Sequence, residues 1–262
     1  MPMQSNAAFD NLPNFRPIVD QECKKKYRII DTAIYRSSRT DWVTQSDVNR
    51  LLSHYKVKTI LDIRSAKEYQ KANGNKLLHT TFNRIPFYPD TLGQYEGSPF
   101  SIFIHKPKTT LQYNTNVRNR FLIDFFTSEV ILTNFFRASI IVRLFSLILL
   151  FIDKLFHSNL FMKAFAFFVF NDRGILNQYI DLVECCKPAI ATCMKLVNRK
   201  ELYPILIHCA HGKDRTGIVV AFLLSCCGVD DETLINEYAR SEVKHCSIMF
   251  YLSMNKLVKT YQ

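Results

Sequence analysis

At 262 residues, 48% apolar and 22% charged, the chain can bury a sizeable core, which excludes a disordered or fibrous protein. Its 34 Lys and Arg against 23 Asp and Glu leave a formal charge of +11, which favours anionic partners without choosing among phosphorylated molecules, nucleic acid and acidic lipid. Eight cysteines are too sparse for a disulfide framework and no apolar signal peptide opens the chain, so a reduced, cytoplasmic setting is expected.

Residues 1–26 hold Pro2, Pro13, Pro17 and the run Lys24-Lys25-Lys26, and read as an arm with little regular structure. Residues 27–36 alternate and are rich in β-branched and aromatic side chains, a strand pattern. Thr44-Gln45-Ser46-Asp47 is a helix start, followed by Val48, Leu51, Leu52 and Tyr55 on one helical face. Residues 57–63 (VKTILDI) form a compact apolar run suited to a buried strand, and residues 80–88 predict another. This alternation predicts an α/β fold with a central, mostly parallel sheet flanked by helices.

Residues from about 110 to 170 break the alternation and read as an apolar helical insertion within one domain spanning 27–262. Residues 130–152 carry only Arg137 and Arg143 as charges; one helix of that length would reach roughly 34 Å, enough to cross hydrocarbon. Two arginines near its middle oppose a span, so a helix packed on the core, or an interfacial or lid helix pair, is preferred. Asp153 and Lys154 are expected to end it, and a Phe-rich patch follows at 164–170. Residues 174–198 are helical in pattern and divided near Pro188. Residues 203–209 (YPILIHC) predict a buried strand, and 216–227 an apolar helix closed by Gly228. Asp230, Asp231 and Glu232 open a further helix, and the rest to 262 is expected to be helical.

Between that strand and helix lies His208-Cys209-Ala210-His211-Gly212-Lys213-Asp214-Arg215-Thr216-Gly217. Five residues separate Cys209 from Arg215, and such a loop can curl so that its backbone N–H groups converge on an anion. Arg215 can grip two phosphate oxygens with its planar fork, and Cys209 at the bottom of the cup is stabilised as a thiolate by the same field. Gly212 permits the tight path, and Thr216 can offer its hydroxyl to the sulfur. The expected reaction is attack of Cys209 on a phosphate ester followed by hydrolysis of the phosphocysteine, with no metal or cofactor required.

Other readings of these residues are weaker. Cys193 and Arg199 share the spacing, but they lack a glycine and a following Ser or Thr and lie in a helical pattern, so they are assigned to packing and surface. A nucleoside-triphosphate loop needs a glycine where Ile207 stands, and His208, Cys209 and His211 lack a further pair of metal ligands.

The stretch 208–217 resembles the signature of the cysteine-dependent protein tyrosine phosphatase superfamily, in the form H-C-x-x-G-K-D-R-T-G of bacterial atypical phosphatases that act on phosphotyrosine and, in several members, on phosphoinositides. Asn14-Phe15-Arg16, Tyr35-Arg36-Ser37-Ser38, Ile60-Leu61-Asp62-Ile63-Arg64 and Glu68 fit the same subfamily, so the resemblance runs from about 14 to about 245, interrupted by the insertion. It implies Cys209 as nucleophile, Arg215 as phosphate clamp, the loop residues Ala210, His211, Gly212, Lys213, Thr216 and Gly217 as substrate-binding, and His208 as support. The mobile-loop Trp-Pro-Asp acid of many relatives is absent, since the lone Trp42 precedes Val43. The resemblance therefore gives proton delivery to Asp214, with Asp172 as runner-up. The C-terminus is expected to lack the final helices of longer relatives.

The expected substrate is phosphotyrosine in proteins, with possible dual or lipid specificity. Alternatives are a phosphoinositide phosphatase in peripheral contact with a membrane surface, which Lys213, His211 and the net charge would suit, and an inactive phosphate-binding module. Basic residues spread along the chain speak against nucleic acid as partner. Arg36 and Arg64 follow strands that should end near the cup, and either hold anionic substrate or form buried structural ion pairs; Asp62 reads as structural.

Overall fold

The computed structural model describes residues 9–29, 33–75, 77–87, 113–125, 135–156, 160–165 and 171–241. The chain divides into two compact units, one of residues 1–125 and 188–242 and the other of 126–187 and 243–262.

The first unit is built on a six-stranded sheet in the order β1-β2-β6-β3-β5-β4. Its strands are β1 (Arg16–Pro17), β2 (Ile34–Ser37), β3 (Thr59–Asp62), β4 (Asn83–Phe87), β5 (Asn119–Ile123) and β6 (Ile205–His208). All neighbouring pairs are parallel except β1 with β2 at the edge, so the expected α/β architecture is what the structure shows. β3 and β6 are buried along their whole length, as strands covered on both faces must be. In register, Tyr35, Leu206 and Ile60 lie side by side. On that face Leu206 and Ile60 join Val43, Val48, Leu51, Val57, Leu78 and Phe82 in one cluster, against which Tyr35, Phe15 and Tyr55 pack.

Local signals explain the helices. After α1 (Gln21–Lys26), α2 (Gln45–Asn49) starts at Thr44, whose side chain accepts from Asp47 N–H while the Asp47 carboxylate accepts from Thr44 N–H. A π-helical turn, Arg50–His54, continues it and buries Leu51. α3 (Ala66–Lys71) has the same reciprocal cap from Ser65 and Glu68, and α4 (Leu78–Thr81) leads into β4.

The second unit contains α5 (Ile140–Phe156), α6 (Leu160–Phe165) and α7 (Asn171–Cys185). Leu149 and Phe161 form the centre of the α5–α6 contact, with Val142, Ile152 and Ala164 around it. Asp153 lies inside α5 and accepts from the N–H groups of Leu160 and Phe161, so it caps α6 and does not end its own helix. No described helix is long and apolar enough to cross a membrane. Back in the first unit, α8 (Lys187–Val197) follows, with the expected division falling before Pro188. Then come α9 (Asp214–Cys226) and α10 (Asp231–Ala239), the latter capped by Asp230.

The structure departs from the sequence-based expectations at several points. Residues 16–26 are not an unstructured arm: Arg16–Pro17 pairs with β2, and Asp20 caps α1. A proline is tolerated in β1 because the strand lies at the sheet edge. The strand expected over 27–36 is confined to Ile34–Ser37, since α1 ends at Tyr27 and Arg28 takes a positive φ. The expected 110–170 insertion contains β5, an inner strand between β3 and β4. Its Arg120 disguises it as polar, yet that side chain is wholly buried in an ion pair with Asp62. Cys226 and Cys227, which close the apolar run 216–227, are exposed because the buried side of α9 ends at Leu224. Residues 1–8, 88–112, 166–170 and 242–262, on which parts of the expected arm, strand, Phe-rich patch and last helix fall, lie outside the described residues.

Candidate active site

Ser37, His208 and Asp62 are paired neighbours at the ends of three parallel strands, so the segments following β2, β6 and β3 leave the same edge of the sheet. In open α/β sheets such an edge is where ligands bind. The segment after β6 is 209–213, and α9 begins immediately beyond it.

Cys209 is buried at the start of this loop, and Gly212 N–H points at its Sγ from 3.2 Å. Gly212 has φ +70°, and a Cβ there would stand 2.2 Å from the carbonyl oxygen of Ser37. Only glycine permits both the backbone turn and this approach to β2. Gly217 answers a different need: a Cβ there would meet the Tyr238 ring at 2.6 Å, so α9 and α10 could not pack as closely.

Arg215, in the first turn of α9, is buried and held by Glu68, with Nη1 to Oε2 at 2.5 Å and Nη2 to Oε1 at 2.7 Å. Burial alone would raise the Glu68 carboxyl, but the hydrogen bonds and charge of Arg215 bring it down to about 2. Glu68 is itself fixed by the α3 cap, where Oε2 accepts from Ser65 N–H at 2.8 Å. The arginine after the loop is thus oriented by a carboxylate whose own position is set by a helix start.

Beneath the loop lies a charge-balanced buried cluster. Arg64 donates to both oxygens of Asp62, at 2.9 and 2.8 Å, and to Asp41 at 2.6 Å. Arg120 donates to Asp62 at 2.7 Å and faces Nε2 of His208 at 3.3 Å. Burial pushes His208 down to about 4, leaving the imidazole neutral at pH 7. Because Arg120 can only donate, Nε2 is the acceptor, and Nδ1–H donates to the carbonyl of Cys209 at 3.1 Å. Burial opposes charge on Asp62, but His208, Arg120 and Arg64 hold it well below the usual range; with His208 neutral, the two guanidiniums carry that effect. Of the two readings open for Arg36 and Arg64, the structural one therefore applies: Arg36 is wholly buried and donates to the carbonyls of Gly212 and Lys213, at 2.7 and 3.3 Å.

The remaining sequence-derived residues are placed as follows. Asp214 is the first residue of α9, half-buried, and accepts from the Tyr238 hydroxyl at 3.2 Å. An acidic residue there also suits the positive end of the helix. Ala210 and Lys213 are partly buried and His211 is exposed. The Thr216 hydroxyl is buried with no hydrogen-bond partner among the described residues, so the donor at Sγ is the Gly212 amide and not the expected threonine. Asp172 is the second residue of α7 in the other unit, and its side chain lies outside the described residues. Cys193 is fully buried in α8, burial pushing its thiol up, and Arg199 is exposed over Tyr113, so that pair is packing and surface. Among the described residues no three His, Cys, Asp or Glu side chains gather in a way that could hold a metal ion.

Sequence reasoning missed the roles of Glu68, Arg120 and Tyr238. Glu68 carried a readable signal, the Ser65-x-x-Glu68 capping pattern, but nothing local points from there to Arg215. This arrangement joins a buried thiol, an inward amide and a pre-oriented guanidinium, a set able to hold a tetrahedral oxyanion over a nucleophilic sulfur.

The model of the tyrosine phosphatase family matches residues 7–250. A stretch of 38 residues is 50% identical to the triple specificity protein phosphatase PtpB of Mycobacterium tuberculosis, spanning 14% of each chain. The core catalytic domain of the PP-IP phosphatase SIW14 from S. cerevisiae, solved with citrate, aligns over 95% of this chain and 94% of that one, at 14% identity and a TM-score of 0.37.

Proposed function

Since the chain belongs to the tyrosine phosphatase family, we propose that it hydrolyses phosphate monoesters through a phosphocysteine on Cys209, with phosphotyrosine in proteins as the main substrate class. The observation that carries this reading is the pairing of Glu68 with Arg215 beside a loop whose Gly212 amide already faces Cys209 Sγ. Donors held in place before the anion arrives are the arrangement that stabilises charge developing in a transition state.

In the first step the Cys209 thiolate attacks phosphorus in line. The S–P bond forms as the ester P–O bond breaks, and the leaving oxygen takes a proton from Asp214. In the second step water attacks the phosphocysteine and gives a proton back to Asp214. The S–P bond breaks, releasing inorganic phosphate and restoring the thiolate. Arg215 and the loop amides bear the charge of the equatorial oxygens throughout, so this sequence calls on no metal or cofactor.

The relative PtpB is a triple specificity protein phosphatase, and the likeness supports a protein substrate with some breadth. Exposed His211 and the nearby Lys213 at the loop favour a second reading, a phosphoinositide substrate, because one phosphate does not need the added charge of Lys213 or a further polar ring beside it. Turnover of a generic aryl phosphate by the wild type and its abolition in Cys209→Ser test the enzyme against an inactive phosphate-binding module. Ranking kcat/KM for phosphotyrosine peptides against short-chain phosphoinositides then decides the substrate class; the proposal expects the peptides to lead.

A further inference from the structure

The loop after Cys209 is held from outside by its carbonyls. Ala210 C=O accepts from Arg39 N–H at 3.1 Å. Gly212 C=O accepts from Asn14 Nδ2 at 2.8 Å and from Arg36 Nη2 at 2.7 Å, and Arg36 Nη2 also reaches Lys213 C=O. In a trans peptide the carbonyl and the following N–H point in opposite directions. Each carbonyl caught on the outer side therefore turns the next amide, those of His211, Lys213 and Asp214, toward the inner side, where Gly212 N–H already meets the sulfur.

Two of these braces share one anchor. Glu237 on α10 takes Arg36 Nη1 with Oε2 and Arg16 Nη2 with Oε1, the latter at 2.9 Å. Arg16 in turn donates through Nη1 to Asn14 Oδ1, which leaves the Asn14 amide nitrogen directed at Gly212 C=O. A single carboxylate far along the chain thus orders both side chains that grip the same carbonyl. Two arginines and one carboxylate are an expensive group to bury for packing alone. Their convergence on one loop peptide is what a cradle of fixed amides requires.

We propose that Asn14 and Arg36, gathered by Glu237, are positioning residues for the phosphate cradle: they lock the 212–214 peptide planes with the N–H groups inward and so set both oxyanion affinity and the reactivity of Cys209. The proposal rests on the phosphatase reading above. It gives the N-terminal segment a part in catalysis without contact with substrate.

Asn14 supplies the cleaner test, because truncating wholly buried Arg36 would strand Glu237 and threaten folding. Asn14 has φ +61°, a conformation glycine adopts without strain, so Asn14→Gly removes the brace and keeps the backbone path. The expected result is a fall of about tenfold in kcat/KM for an aryl phosphate and a similar weakening of inhibition by vanadate. The curve of Cys209 alkylation by iodoacetate against pH should move to higher pH, with the thermal unfolding midpoint nearly unchanged. Asn14→Asp, which keeps the size but removes the donor and places an acceptor against Gly212 C=O, should lose more. Were Asn14→Gly itself to unfold, Asn14→Asp read by the same vanadate and alkylation curves decides. An active wild type whose folded Asn14 variants keep wild-type vanadate inhibition and alkylation overturns the proposal alone. A folded wild type with no turnover and an ordinarily reactive Cys209 overturns the phosphatase reading and this proposal with it.

Discussion

Glu68 takes both terminal nitrogens of Arg215, so the guanidinium approaches its neighbour end-on and its plane is fixed by a carboxylate that is also the capping residue of α3. In the proposed reaction the planar fork of Arg215 meets two phosphate oxygens at once, a shape that a lysine does not possess. Arg215→Lys should therefore lose aryl phosphatase activity by about a hundredfold or more, although the charge is kept. Glu68→Gln should cost less, about tenfold in kcat/KM, since one oxygen can still accept and the α3 cap survives. Steady-state kinetics of the two variants side by side checks the order.

Gly212 gives a prediction that depends on shape alone. An alanine there must sit at φ +70° with its Cβ driven into the Ser37 carbonyl, so the loop has to move away from β2. Gly212→Ala should lose nearly all turnover and destabilise the fold by about 1–3 kcal/mol. Gly228→Ala, at φ +73° with open space around it, should cost stability without touching kcat. Chemical unfolding and aryl phosphate assays on both separate strain from the site.

The pair Tyr238 and Asp214 tests proton delivery. If Asp214 protonates the leaving oxygen, Asp214→Asn slows alkyl phosphates and phosphotyrosine far more than esters of acidic phenols, by about a hundredfold against a few-fold. Tyr238→Phe removes one hydrogen bond from the carboxylate and should produce the same pattern more weakly. Equal slowing of good and poor leaving groups would assign Asp214 to the helix start alone.

His208 supplies a pH dependence of stability. Its folded value, pushed down to about 4 by burial, lies below the ordinary 6.5, so between these limits the unfolded chain binds more protons than the folded one. Stability from this group is whole above about pH 6.5 and is lost progressively as the pH falls to about 4, by about 3 kcal/mol in all. Glu68 adds a second loss lower down, from its ordinary 4.5 toward about 2. Urea midpoints should fall for the wild type as the pH is lowered from 7 to 4, and fall less steeply for His208→Asn, which is less stable at neutral pH.

Much of this arrangement could be read directly from the chain, because its signals are local. The runs that became β3 and β6, the caps at Thr44 and Asp230, and the spacing of Cys209, Gly212 and Arg215 each lie within about ten residues. What escaped was carried by distant partners. Arg120 looks like a surface residue until Asp62 is placed beside it, and with it the inner strand β5 was hidden inside an apparent insertion. Arg16 and Pro17 look like an arm until Glu237 on α10 pairs with the former and the sheet edge accepts the latter. The same holds for Glu68, whose capping pattern was legible but whose grip on Arg215 depends on the approach of α3 to α9. A charged residue buried by a remote counter-charge has the sequence signature of an exposed one, and that limits any reading from pattern alone.

The central claim is a covalent bond between Cys209 and phosphorus. The most direct measurement is an acid quench of the wild-type protein during turnover of an aryl phosphate, followed by mass analysis of the peptide carrying residue 209. The account predicts one added phosphoryl group on that peptide, acid-stable and absent from Cys209→Ser. Turnover that proceeds with no such adduct and survives Cys209→Ser would contradict it.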